Sequence, residues 1–414
     1  MENNGISHKI ASLERVMGFF TLLLVLVTFP LWKPLDSTAS PQIPWFDFLC
    51  QFPQSIETGF LAALILAAIL LVFSAKKSLT RRVTRVVYLA SFIGLVLLDQ
   101  HRLQPWTLQL LLFSVVLSLA PRRDGLSCCR ILVVTLYVYS SISKIDLAFL
   151  DGQGQLLLDG LFKPFGVNNE MWSRQTNRAL AASLPLGELL VAFLLVTDRF
   201  RRIGLVGATL MHLMILVALG PWGLNHEYGV LIWNVYFIFQ NFILFRKPIE
   251  AVEATLLSRK VSNWIAIGVT GLFAFLPALE NWGWYDHWPA WAVYSARPER
   301  VEVLVDESIV PSLPASLQEL CGRPAPLDVR VPIVLDRWSF QTRNCPIYPQ
   351  ARYRVALANA LLRKQVDSQS ITIEISSTPN RFTGKREKHV FHGWKEIDQL
   401  RKNYRLNTQA RILE

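Results

Sequence analysis

Cysteine is scarce in this 414-residue chain: there are five, Cys50, Cys128, Cys129, Cys321 and Cys345, with no CxxC and no CxxC-His spacing. That leaves dithiol catalysis and a zinc site without a sequence basis, because both need ligands or thiols closely paired along the chain. Charge is also thin, at 18% of residues. The surplus is positive, 42 Lys and Arg against 31 Asp and Glu. No basic cluster interleaved with aromatics stands apart from a helix end, so nucleic acid is set aside as a partner. Neither an internal repeat nor a low-complexity segment is present.

What the chain has in abundance is apolar residues, 52% of the total. They are gathered into runs at 17–32, 56–74, 83–99, 107–120, 129–149, 179–197, 203–220, 230–245 and 262–280. Runs of this length and purity belong in a lipid bilayer. The first is not followed by a small-residue cleavage site, which favours a span over a signal peptide. The expected fold is therefore mainly α, a polytopic helical membrane bundle of about nine spans in the cell membrane. Placing residues 1–16 in the cytoplasm leaves 17 Lys or Arg on the inner segments, including Lys76, Lys77, Arg122, Arg259 and Lys260. The outer loops then hold five, Lys33, Arg102, Lys163, Arg174 and Arg178. An inward excess of this size predicts a cytoplasmic N-terminus.

Beyond residue 280 the pattern changes. Asn281–Trp288 is rich in tryptophan, as expected at a membrane interface. VEVLV (301–305), DVRVPIVLD (328–336) and SITIEIS (370–376) read as strands, whereas 351–365 and 393–405 have helical spacing. Three segments follow: a cytoplasmic 1–16, a transmembrane helical domain 17–280, and an extracytoplasmic α+β domain 281–414. An oxidising compartment would permit a Cys321–Cys345 disulfide; sequence leaves the pairing open.

The polar residues inside the runs need an explanation, since each charge in a bilayer costs at least a few kcal/mol. Lys144 shares a helical stripe with Tyr137, Ser140 and Ser141. Glu188 lies mid-span near Pro185, and His212 in a later span. Two readings of Lys144 and Glu188 stand: a structural ion pair, or an amine whose desolvation makes it available as a base. His212 reads as a satisfied core residue unless it meets one of them. Asp99, His101 and Arg102 lie in the loop DQHRLQPW, as helix-capping groups or as substrate contacts. Asn234 and Asn241 share a helix face suited to interhelical hydrogen bonds, with substrate contact an alternative for Asn234.

The segments Tyr139–Asp146, Phe149–Gly152 and Met211–Met214, with the Trp/Tyr-rich exit into Arg300–Val305, resemble the vitamin K-dependent gamma-carboxylase-like family. That family is also called the horizontally transferred transmembrane domain proteins. The likeness covers roughly residues 10–305, and DQHRLQPW departs from the family pattern. It implies Lys144 as a catalytic base toward a reduced quinone, His212 as the counterpart of a family histidine, and a secreted protein or peptide as partner; Glu188 joins them as a catalytic candidate from the clustering of charges within the spans. The expected site is a cavity on the outer side with Lys144 at its centre, lined by Asp99, His101, Arg102, Glu188 and His212. Two further readings are kept. The chain is similar to DoxX and MauE proteins, thought to pass electrons between a lipophilic quinol and a periplasmic partner; or it is a non-catalytic scaffold.

Overall fold

A computed structural model of the chain describes residues 2–34, 40–73, 78–120, 123–247, 261–325 and 329–411. Each of the nine apolar runs lies on a helix: α1 (Glu2–Val27), α2 (Gln54–Phe73), α3 (Ser78–Leu98), α4 (Pro105–Leu119) and α5 (Arg123–Ile142), then α7 (Arg174–Val196), α8 (Arg201–Leu219), α9 (Tyr228–Phe245) and α10 (Val261–Phe275). One short helix between them, α6 (Gly154–Phe162), has no counterpart among the runs. Its Gly160 is needed for close packing: a Cβ there would lie 2.4 Å from the Ala218 carbonyl oxygen.

Seven helices among the described residues are long and apolar enough to cross a membrane. The other two runs differ for distinct reasons. α3 begins with Arg81, Arg82 and Arg85, which dilute its apolar stretch. α4 has 15 residues, about 22 Å of helix against a core of about 30 Å. It is almost wholly buried and packs on α3, α5 and α10, so protein rather than lipid covers its short ends. The outward faces of the longer helices expose Leu26, Leu66, Phe73, Phe193 and Val206. Such apolar exposure would be costly in water and is ordinary in lipid.

The two ends of the bundle are chemically different. At one, Glu14 pairs with Arg85 at 3.2 Å, Arg130 donates to the Leu244 and Lys247 carbonyls, and Asn263 donates to Asp124. The basic residues of the sequence-predicted inner side that are described gather here; Lys76, Lys77, Arg122, Arg259 and Lys260 lie outside the described residues. The opposite end carries the C-terminal region, seated through Asn407–Trp45, Asn407–Pro44 and Arg381–Ile142 contacts.

That region is a four-stranded antiparallel sheet, β1 (Arg300–Asp306), β2 (Arg330–Ile333), β3 (Ile371–Ser376) and β4 (Lys388–His392), in the order β2-β1-β3-β4. Val303 lies opposite Ile333 on one side and Ile373 on the other, so alternate β-branched residues share a buried row. Besides a single turn at Ala315–Gln318, three longer helices accompany it: α11 (Leu335–Arg343), α12 (Ala351–Leu362) and α13 (Gly393–Asn403). The run 328–336 is a strand only as far as Ile333, and Leu335 starts α11; residue 328 lies outside the described residues. β4 escaped sequence reading because KHVFH is a mostly exposed edge strand without an apolar face.

Candidate functional site

The final turns of α5 place Tyr137, Ser140, Ser141 and Lys144 along one stripe. α5 ends at Ile142, and a turn in which the Lys144 amide donates to the Ser141 carbonyl carries the lysine just past the helix. Its Nζ donates to Ser140 Oγ at 2.6 Å and to Glu188 Oε2 at 2.8 Å. Ser141 donates to the carbonyl of Pro185 on α7, holding the two helices together one turn from the pair. The side chains of Lys144 and Glu188 retain 11% and 12% exposure, so each is largely taken out of solvent and neutralised by the other.

Lys144 lines a cleft of about 1520 Å³ between the end of the bundle and the C-terminal region. Ile145, Pro185 and Leu186 give it an apolar wall, and Asp146, Arg381 and Phe382 contribute to the remainder. Asp146 accepts from the Phe149 amide with one carboxylate oxygen at 2.6 Å, while the other is buried without a hydrogen-bond partner. Arg381 is spent on the Ile142 and Ile145 carbonyls and on Asn281.

The other expected site residues do not join this pair. His212 is held two turns deeper, between Tyr137 Oη (2.8 Å to Nε2) and Asn234 Oδ1 (2.8 Å to Nδ1). Asn234 donates its amide to the Val230 carbonyl and Asn241 donates to Tyr137 Oη. With Asn234 Oδ1 as acceptor, the proton sits on His212 Nδ1 and the tyrosine hydroxyl donates to Nε2. The imidazole also stacks on Phe237 at 4.5 Å between ring centroids. His212 and Asn234 therefore form an interhelical chain, with no hydrogen bond or ion pair to Lys144 or Glu188 among the described residues.

Asp99, His101 and Arg102 form a third group, beneath the C-terminal region. All three are fully buried. Arg102 donates to the Leu31, Trp32 and Leu95 carbonyls at helix ends, where a cation is favoured, and pairs with Glu57. Arg411 reaches Glu57 from the far end of the chain at 2.5 Å, so one carboxylate answers two guanidinium groups. Asp99 accepts from the His101 and Ile43 amides. His101 Nε2 lies 2.9 Å from the Pro346 carbonyl; burial, then the Arg343 charge, pull its pKa down to about 3. The single cavity expected from sequence is thus three separate groups, and the loop DQHRLQPW is a docking surface for the C-terminal region. Sequence reading missed Glu57 and Arg411 because neither lies near the loop along the chain. It missed Asp146 as a cleft residue because the C-terminal wall is not visible locally. None of the five cysteines is in a disulfide, Cys321 and Cys345 included.

Fold and site together define a multi-pass helical membrane protein with a largely buried cation–carboxylate pair whose lysine lines a cleft at one end of the bundle. Residues 122–221 match the family of methylamine utilisation protein MauE. No curated protein and no solved structure matches the chain. The matched stretch contains α5 through α8, which pack on one another, and with them Lys144, Glu188 and His212. This overturns the gamma-carboxylase likeness. The Tyr139–Gly152 and Met211–Met214 segments that carried it fall inside the MauE match.

Proposed function

We propose that the chain is a component of a redox-associated membrane system, and that its MauE-like stretch holds the polar head of a lipid-soluble quinone in the cleft beside Lys144. The observation that carries this reading is Lys144, paired to Glu188 behind it, in the wall of a large cleft whose bundle side is apolar. An ion pair kept for stability alone is better sealed from solvent, and this one borders open space. Lys144 can donate to a quinone carbonyl from the cleft wall, and Glu188 behind it holds the ammonium in place for that contact. Ile145 and Leu186 would meet the isoprenoid stem.

Orientation is part of the same proposal. The excess of 17 inner over five outer basic residues supports a cytoplasmic N-terminus and an extracytoplasmic region 281–414, with the cleft at the outer side. A redox partner would then dock from that compartment. The test is quinone titration of the full-length protein in lipid nanodiscs, comparing wild type with Lys144→Met and Glu188→Leu. Saturable binding weakened in both variants is expected; equal binding in all three would remove the pair from the site.

A further inference from the structure

A second cavity, of about 210 Å³, lies where α4 and α9 meet the C-terminal region. Trp106, Trp233, Trp288 and Tyr294 line it together with His226 and Glu227. The tryptophans are fixed from behind. Trp106 packs on Trp32 with centroids 5.6 Å apart, Trp288 meets Tyr348 edge-on at 5.4 Å, and Trp233 Nε1 donates to Gln109 at 2.7 Å. These walls are preformed rather than waiting to collapse.

Thr28 and Gln104 in the lining are hydrogen-bonded to the protein, whereas three other polar groups of this cavity are unspent. Glu227 is the N-cap residue of α9, yet its side chain makes no capping bond. Neither its carboxylate, nor the His226 ring, nor the Tyr294 hydroxyl has a hydrogen bond to another described residue. No lysine or arginine lines the cavity among the described residues. Burial lowers the pKa of His226, which leaves a neutral ring with a lone pair to offer.

The backbone gives an independent sign. Among the described residues, four non-glycine positions have positive φ: Asn225 (52°), Trp291 (63°), Tyr294 (54°) and Asn344 (52°). Tyr294 and Asn344 line the cavity, Asn225 precedes His226, and Trp291 is two residues from Val293, also in the lining. Asparagine tolerates the left-handed region, whereas tryptophan and tyrosine adopt it against steric resistance. Conformations of this kind collect where a fold holds side chains in place for a ligand.

We propose that this cavity binds a small alkylammonium ion, its nitrogen facing Glu227 within the aromatic cage. Aromatic faces attract cations, and the Glu227 carboxylate supplies the countercharge. Glu227, neutral His226 and the Tyr294 oxygen are three acceptors for the N–H groups of a primary ammonium. An anion would meet the carboxylate unfavourably, and a neutral alcohol would leave its charge unanswered. The limited volume restricts the alkyl stem to a few carbons.

The test uses the full-length protein in lipid nanodiscs near neutral pH, with n-butylammonium and its neutral counterpart n-butanol as probes. Binding is read by calorimetry and by the fluorescence of the lining tryptophans. Butylammonium should saturate, while butanol should bind at least about tenfold more weakly, as expected for the loss of a charge-assisted bond. Glu227→Gln should weaken butylammonium by a similar factor, and its unpartnered side chain makes a folding defect unexpected. Val230→Phe, which fills the cavity from α9, should abolish binding while preserving the circular dichroism melt. Equal binding of the two probes, unchanged binding in either variant, or no saturation by the wild type would each overturn the proposal.

Discussion

Removing Lys144 and Glu188 one at a time and then together separates a structural ion pair from a ligand site. At 2.8 Å the gross attraction between the two charges is about 6 kcal/mol at an effective dielectric of about 20. Desolvation of both groups offsets most of it. Lys144→Met strands a mostly buried carboxylate, for which about 3 kcal/mol is expected, the low end for broken buried pairs because some solvent reaches the site. That is roughly two decades in the unfolding equilibrium. Lys144→Met/Glu188→Leu removes both charges and should return to within about 1 kcal/mol of wild type. Quinone affinity should behave differently, falling about tenfold or more in the single variants and staying low in the double, because the polar contacts to the head group are gone. Denaturant unfolding and quinone titration on the same nanodisc samples supply both readouts. A double variant with wild-type quinone affinity would refute the assignment and leave the pair with a packing role only.

Three more outcomes are expected. Glu57→Gln should cost about 3–5 kcal/mol, because Arg102 and Arg411 would be left buried without a carboxylate; faster proteolysis of the C-terminal tail and an earlier denaturant midpoint would register it. His101 is neutral in the folded state down to a pKa of about 3, while its unfolded value is about 6.5. Folding stability should therefore be insensitive to this group above about pH 6.5 and fall below it by up to about 1.4 kcal/mol per unit until about pH 3. His101→Gln should flatten that slope, and an unchanged slope in the variant would assign it to other groups. Finally, with none of the five cysteines in a disulfide, a membrane-impermeant maleimide on intact cells should modify Cys321 first, while buried Cys128, Cys129 and Cys345 react only after unfolding. No reaction at Cys321 until the cells are opened would reverse the proposed orientation.

The departures between sequence and structure have local causes. Nine apolar runs were legible because lipid imposes a length and a purity on the residues that cross it. Their number is matched by helices, yet α4 is too short to be recognised by length, being wrapped in protein. In the C-terminal region β1 and β3 announce themselves by apolar β-branched runs. β4 does not, since its partner on one side is solvent and its residues are selected for exposure. The stripe Tyr137–Ser140–Ser141–Lys144 is a matter of helical period and could be read directly. Whether His212 touched it depended on how α5, α8 and α9 pack.

By itself, then, the sequence determined the medium in which the chain folds, the placement of its helices and the unusual charge of Lys144, because each follows from local composition and period. Only the tertiary structure decided the company each polar residue keeps. Glu188 lies 44 positions from the lysine it neutralises, and Arg411 lies 354 from Glu57. Partners at such separations are chosen by the packing of whole helices, and buried charges accept whichever arrangement leaves none of them alone.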